Sequence, residues 1–242
     1  MNRGIYPALS GGIAYERLLS VISNNVANLN TSGYKIDRPI FRVDTPSSTE
    51  GAASLGNNPH RDKFFTEIDR IFTDFGSGAI KQTGNTLDLA IEGDGFFVVS
   101  TPDGQRYTRS GAFTLNSSNT LTTMDGHMVM GESGPIVLGE GSVVIDPEGG
   151  VSVNGTEINR LKIVDFDKPY NLQKDNNNVF KGTGEKPAEG YSVVQGAIEL
   201  SNVNPVKEMA AMIEVLRGYE SYRKVMTTID ETTARANEIG RT

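Results

Sequence analysis

The chain has 242 residues, 37 % of them hydrophobic, with 27 glycines, no cysteine and a formal net charge of −7. That length allows one large core or a core with accessory segments, and the glycine content suits a turn-rich β protein better than a compact helical enzyme. The acidic balance argues against nucleic-acid binding, which needs a basic face for the phosphates, and the lack of cysteine excludes disulfides, thiolate nucleophiles and zinc ribbons.

The first residues, MNRGIYPALSGGIAYERLL, place charges and glycines where a secretory signal needs an apolar run of ~7 to 15 residues. No stretch approaches the ~18 apolar residues of a membrane-spanning helix, so export is expected to use another route. Ile5, Leu9 and Ile13, then Leu18, Ile22, Val26 and Leu29, recur at helical spacing and predict an amphipathic helix, with Gly11 and Gly12 as a point where it breaks in two. Asn24, Asn25 and Asn28 weaken that helix. An asparagine amide both donates and accepts, so in a water-poor helical interface it sets register and partner at some cost in stability. Asn25, on the stripe of Ile22 and Leu29, is expected to face a partner helix or the next subunit. The other reading, a frayed helix end passing into a loop, stands beside it. Asn30 to Gly33 predicts the exit, with Gly33 suited to a positive φ.

Residues 36–85, with Pro39, Pro46 and the tract SSTEGAASLGNNP, read as a transition of loop with a strand on either side. From Leu87 onward the period changes to two or to short apolar runs, among them LDLAI, GFFVVST, AFTL, HMVM, PIVL, SVVIDP, LKIVDF and YSVVQGAIEL. Turn chemistry falls between them at Asp103-Gly104, Asn116 to Asn119, Asp125-Gly126, Asp146 to Gly150 and Asn154-Gly155. This spacing predicts a β-meander closing into a small barrel or sandwich. At the C-terminal end Asn204 is placed to cap and Pro205 to begin a helix. Val206, Met209, Ile213, Leu216, Tyr219, Tyr222, Met226 and Ile229 then follow as its apolar stripe. It extends to about Glu238, ~50 Å at ~1.5 Å per residue. The fold class expected is α+β: terminal helices packed as a coiled-coil-like pair around a central all-β meander or barrel-like domain. The expected segments are 1–35 (N-terminal helical), 36–85 (transition), 86–200 (β domain) and 201–242 (C-terminal helical).

Asp88, Glu92 and Asp94 have the chemistry of paired hydrolytic carboxylates, but acids and glycines between two apolar runs are ordinary turn residues, and the spacing is not that of a calcium loop. His60 and His127 lack flagged partners for zinc or a catalytic triad and read as surface histidines. GDG and GEGS lack P-loop spacing, and the absence of tryptophan disfavours carbohydrate binding. Tyr219 and Tyr222, with Met209, Met212 and Met226, read as packing surface rather than a ligand pocket. No catalytic, cofactor or metal residue is assigned.

Three stretches, ISNNVANLNTSGYK, TGNTLDLAIEGDGFFVVSTPDGQRYTRSGAFTL and GAIELSNVNPVKEMAAMIEVLRGYESYRKVM, together resemble the axial proteins of the bacterial flagellum, the rod and hook family, in order along the whole chain. MNRGIYPALSG, NRLKIVDFDKP and the short length are most similar to the proximal rod type. Leu216, Gly218 and Tyr222 depart from the family pattern, which resembles Gln, Ala and Asn there. Gly218 costs about 1 kcal/mol of helix stability relative to alanine and points to a bend or a close helix approach.

The resemblance implies a structural, non-enzymatic subunit of the basal-body rod in the periplasmic space, a drive shaft carrying torque from motor to hook. Terminal helices of many copies would form an inner tube with the β domain outside. Its partners would be itself, other rod proteins and the type III export apparatus, with no cofactor and no nucleic acid. The assembly interface expected comprises Leu18, Ile22, Asn24, Asn25, Val26, Asn28 and Leu29 from the N-terminal end. From the C-terminal end it takes Asn202, Asn204, Pro205, Met209, Ile213, Leu216, Tyr219, Tyr222 and Met226. Exposed stripes on a free subunit predict terminal helices that order on assembly. Two alternatives remain: a distal rod or hook subunit, and a secreted β-domain glycan-binding or cell-wall-acting protein.

Overall fold

The computed structural model describes residues 5–44, 65–175 and 178–239. His60 and the tract SSTEGAASLGNNP lie outside the described residues. The chain divides into two compact units, one of Met1–Ala27, Asp37–Phe72 and Asn204–Thr242, the other of Asn28–Ile36 and Thr73–Val203.

The first unit holds two helices, α1 (Ile5–Ala27) and α2 (Pro205–Ile239), and the paired strands Asp37–Asp44 and Phe65–Thr73. Asn204 caps α2: its Oδ1 accepts from the Lys207 N–H at 3.1 Å, while its carbonyl accepts the first intrahelical bond, from Glu208, at 3.0 Å. Pro205 follows at the first helical position, where its missing N–H costs nothing. Further along, Ser221, Thr227, Thr228 and Thr232 donate to carbonyls four residues back, which absorbs their hydroxyls without breaking the helix.

α1 runs unbroken through Gly11 and Gly12, contrary to the expected break. The reason lies on the facing helix. A Cβ at Gly11 would stand 2.6 Å from Cε1 of Tyr222, and one at Gly218 would run into the Tyr15 ring. The two rings pack with centroids 5.2 Å apart. Each glycine therefore admits a tyrosine from the opposite helix, and burial of ring surface offsets the ~1 kcal/mol that glycine costs a helix. The face of α1 turned inward carries Gly11, Ala14, Val21, Ile22 and Asn25, whereas Ile13 is 45 % exposed and does not continue the stripe. The side chains of Ile5 and Leu9 lie outside the described residues.

The second unit is built on the strand Phe96–Thr101. Its continuous apolar run is buried on both sides: Phe97 and Val99 enter one core with Leu121, Val129 and Ile163, and Phe96 and Val98 enter another with Tyr107, Phe166 and Phe180. The two-residue period of a strand divides the run between the two cores. Turn residues act as expected. Asn154 and Gly155, at φ 53° and 81°, reverse the chain between Gly150–Val153 and Thr156–Arg160, and Asp146 Oδ1 accepts the Gly150 N–H at 2.6 Å.

The strands do not close into a barrel; among the described residues they fall into separate sheets, the largest ordered around Phe96–Thr101. Many segments are two or three residues long, and positive-φ residues such as Gly196 interrupt the ladders before they can close. YSVVQGAIEL is accordingly split, Ser192–Gln195 pairing with Leu89–Glu92 and Ala197–Glu199 with Ile80–Gln82. PIVL is a strand only at Gly134–Pro135; beyond it Ile136 and Leu138 are buried and Val137 is exposed in irregular extended chain. No described helix is long and apolar enough to cross a membrane.

Candidate assembly surface

The apolar residues of α2 do not form one stripe. At ~100° per residue, a three-residue step falls ~60° short of a full turn. The successive steps Ile213, Leu216, Tyr219, Tyr222 therefore carry the apolar side halfway round the helix. Accordingly Val206, Met209, Ile213 and Leu216 face outward, at 75 %, 51 %, 53 % and 40 % exposure. Tyr219, Tyr222, Met226 and Ile229 are half-buried, and Val215 is buried. The single stripe expected from the sequence is thus two faces, one turned to solvent in the first half of α2 and one turned inward in the second.

On α1, Ile22 is buried, Leu18 and Val26 are half-buried and Asn24 is exposed. Asn25 is buried, and its amide reads a backbone unit: Nδ2 donates to the Asp37 carbonyl at 2.9 Å and Oδ1 accepts the Asp37 N–H at 3.1 Å. Nδ2 also donates to Glu208 Oε2 at 3.2 Å. One side chain thereby joins α1, the start of a strand and the first turn of α2, using the donor and the acceptor that an amide carries on separate atoms. Leu29 lies past the end of α1 and does not share its stripe; it packs instead on Tyr34, Ile36 and Val203 in the second unit. Asn28 begins the turn that ends the helix, its Oδ1 accepting from Thr31 Oγ1 at 3.0 Å.

The segment NTSGYK is held inside the second unit by a constellation that sequence reasoning missed. Lys35 Nζ donates to Glu199 Oε1 at 2.6 Å and to the Gly76 carbonyl at 2.9 Å. Glu199 Oε1 also accepts the Gly78 N–H at 2.7 Å, and Arg109 Nη1 approaches Oε2 at 3.5 Å. Arg109 donates further to the carbonyls of Ile91 and Gly93. All three charged side chains are at most 3 % exposed. Burial pushes the Lys35 ammonium below its ordinary range, against the pull of Glu199. Gly33, at φ 66°, lies so close to the Arg109–Ser110 backbone that no side chain fits. The only signal in the sequence was a charge between apolar residues at YKI and AIEL; Arg109, between Thr108 and Ser110, carried none.

Asn202 also acts within this unit. Its Oδ1 accepts the Ile36 N–H at 2.8 Å and its Nδ2 donates to the carbonyls of Asp74 and Gly76. It therefore ties together three points where the chain enters or leaves the unit.

The acidic candidates lie at or just beyond the ends of the strand Leu89–Glu92. Asp88 accepts from Thr83 Oγ1 and Asn85 Nδ2, and Asp94 pairs with Lys168 at 2.7 Å, a hydrogen bond that holds its carboxyl below the usual range. Glu92 ends its strand exposed, and His127 is half-buried in a turn. Among the described residues no group of three His, Cys, Asp or Glu side chains could hold a metal ion.

Comparison with known proteins matches the same three regions. The family described as "Flagella basal body rod protein" matches residues 5–35, "Flagellar hook protein FlgE/F/G D1 domain" matches 90–153, and "Flagellar basal body rod FlgEFG protein C-terminal" matches 194–239. The chain is 34 % identical to the flagellar basal-body rod protein FlgF of Caulobacter vibrioides, over 98 % of each chain. It is also 34 % identical to the flagellar basal-body rod protein FlgG of Bacillus subtilis, over 96 % of each, and 29 % identical to that organism's flagellar hook-basal body complex protein FlhO, over the full length of both. With both helices and part of the β unit falling inside these matches, and relatives aligned along nearly its whole length, the chain belongs to the flagellar basal-body rod protein family.

Proposed function

We propose that the protein is a structural, non-enzymatic subunit of the flagellar basal-body rod that polymerises through α1 and α2, paired in the manner of a coiled coil, to form a shaft carrying torque from motor to hook. The observation that carries this reading is the outward ridge on α2, four large apolar side chains that an isolated molecule leaves in water. The assembly segments are 1–35 and 201–242, with 36–85 a transition and 86–200 the β domain. Within them the outer face of α2 makes the contacts, Asn25 sets register inside the subunit, and Asn28, Leu29 and Asn202 hold the points from which the helices depart. The subunit works in the periplasmic space at the proximal end of the rod, reaches it unfolded through the type III export apparatus, and has itself and other rod proteins as partners. A distal position is the second reading, since identity is equal to relatives carrying two different rod-protein names and does not separate them. Electron cryotomography of basal bodies from a strain lacking the gene tests both. A rod truncated near its base is expected, a rod truncated further out gives the distal position, and intact flagella overturn the assignment.

A further inference from the structure

The last stretch of the second unit supplies partners to its earlier parts. The strand Leu89–Glu92 buries Leu89, Ala90 and Ile91, and its ladder lies with Ser192–Gln195, in register from Gln195 opposite Leu89 to Ser192 opposite Glu92. Gln195 reaches further: its Oε1 accepts the Ile145 N–H at 3.2 Å and its Nε2 donates to the carbonyls of Val143 and Thr86. The Glu199 carbonyl accepts the Gly33 N–H at 2.8 Å, while its carboxylate pairs with Lys35 and faces Arg109, 164 and 90 residues upstream. Asn202 holds Ile36, Asp74 and Gly76. If the unit closed without residues 192–203, it would bury peptide groups of Leu89–Glu92 lacking their ladder and two cations lacking their shared carboxylate. Those costs together are comparable to the whole stability of a domain.

We propose that docking of residues 192–203 is the step that permits the second unit to fold, and that Glu199, compensating Lys35 and Arg109 at once, is the residue on which that step turns. The inference goes beyond the rod assignment and does not depend on it. A chain delivered amino end first, from a ribosome or through a channel, brings out Lys35 and Arg109 long before Glu199. Until then the open chain keeps both cations hydrated, and the compact form has nothing with which to offset their burial. The long sequence separations act in the same direction, because the entropy of closing those loops is lost before the contacts form. The helical unit is likewise built from both chain ends, Met1–Ala27 with Asn204–Thr242. Neither unit therefore closes on a part-delivered chain, which stays threadable while the remainder passes.

The test follows refolding of the full-length chain from urea by pulse-labelling hydrogen exchange, which needs no variant. Two sets of amides are compared: Val98 and Leu121, bonded to the carbonyls of Lys162 and Ile136 inside the core, and Gly33 and Leu200, bonded to those of Glu199 and Ala79 where the late segment docks. Protection of both sets at one common rate is the expected result. Protection of Val98 and Leu121 several-fold ahead of Gly33 and Leu200 means that the core closes without the late segment and overturns the proposal. Glu199→Gln then tests the key residue, since it keeps the acceptor for Lys35 and Gly78 and removes only the charge. It is expected to slow protection of both sets by at least about tenfold while leaving the unfolding rate nearly unchanged, the partition of an interaction already made at the barrier. An unchanged refolding rate with faster unfolding places the Glu199 contacts after the barrier and overturns it. Slowing confined to Gly33 and Leu200 does the same.

Discussion

Replacing Glu199 by alanine tests whether the buried charge cluster is a matched set. The carboxylate accepts from Lys35 and from the Gly78 N–H through Oε1 and faces Arg109 through Oε2. Its removal leaves two cations, each at most 3 % exposed, without the carboxylate that pairs with both. Breaking a buried pair from one side costs about 3 to 5 kcal/mol, because the remaining charge is neither solvated nor compensated. Against a total stability of about 5 to 15 kcal/mol, that is a large fraction. Removing both main partners behaves differently. Lys35→Met combined with Glu199→Leu is expected to stay within about 2 kcal/mol of wild type, since an apolar pair of similar volume replaces an ion pair that was expensive to bury. Arg109 keeps its carbonyl partners on Ile91 and Gly93 in that variant. Urea unfolding followed by circular dichroism on wild type, Lys35→Met, Glu199→Leu and the double variant gives the coupling energy, expected to be at least about 2 kcal/mol. A cost below about 1 kcal/mol for Glu199→Ala, or single costs that simply add, would refute the reasoning.

Gly218→Ala is expected to destabilise the helical unit by about 1 to 3 kcal/mol through overpacking against Tyr15, although alanine is the better helix former, and in a Tyr15→Ala background the same change should cost nothing or stabilise in a thermal melt. Asn25→Asp keeps the shape but loses the donor to Asp37 and sets a carboxylate against Glu208, at a cost of about 3 kcal/mol near neutral pH. Because burial and a like charge raise the pKa of the new carboxyl in the folded state, the loss should shrink as pH falls through that raised value; melting temperatures that differ equally at every pH would contradict it. Burial pushes the Tyr107 phenol up to about 12. The unfolded phenol loses its proton near pH 10, so this contribution is full below that pH and is lost as pH rises toward 12, up to about 3 kcal/mol. Tyr107→Phe should flatten the alkaline fall in urea midpoint, and an unchanged profile would remove this assignment.

The sequence by itself determined the kinds of element and some of their ends. Asn204 and Pro205 marked the start of α2, Asn154-Gly155 and Asp146 to Gly150 marked reversals, and the run GFFVVS marked a strand buried on both faces. Those features depend on φ preference, capping and a period of two or 3.6, all of which act over a few residues. The tertiary structure decided which faces meet. The drift of the α2 stripe was present in its three-residue steps, but only packing against α1 showed that the first half points outward. Gly11 looked like a helix break, and Gly218 like a bend or a close helix approach, until the tyrosines they admit stood opposite them. Lys35, Arg109 and Glu199 carry no local pattern that links them, because their pairing follows from the shared cost of burying charge. That cost is set by which distant segments the fold brings together, and no local periodicity records it.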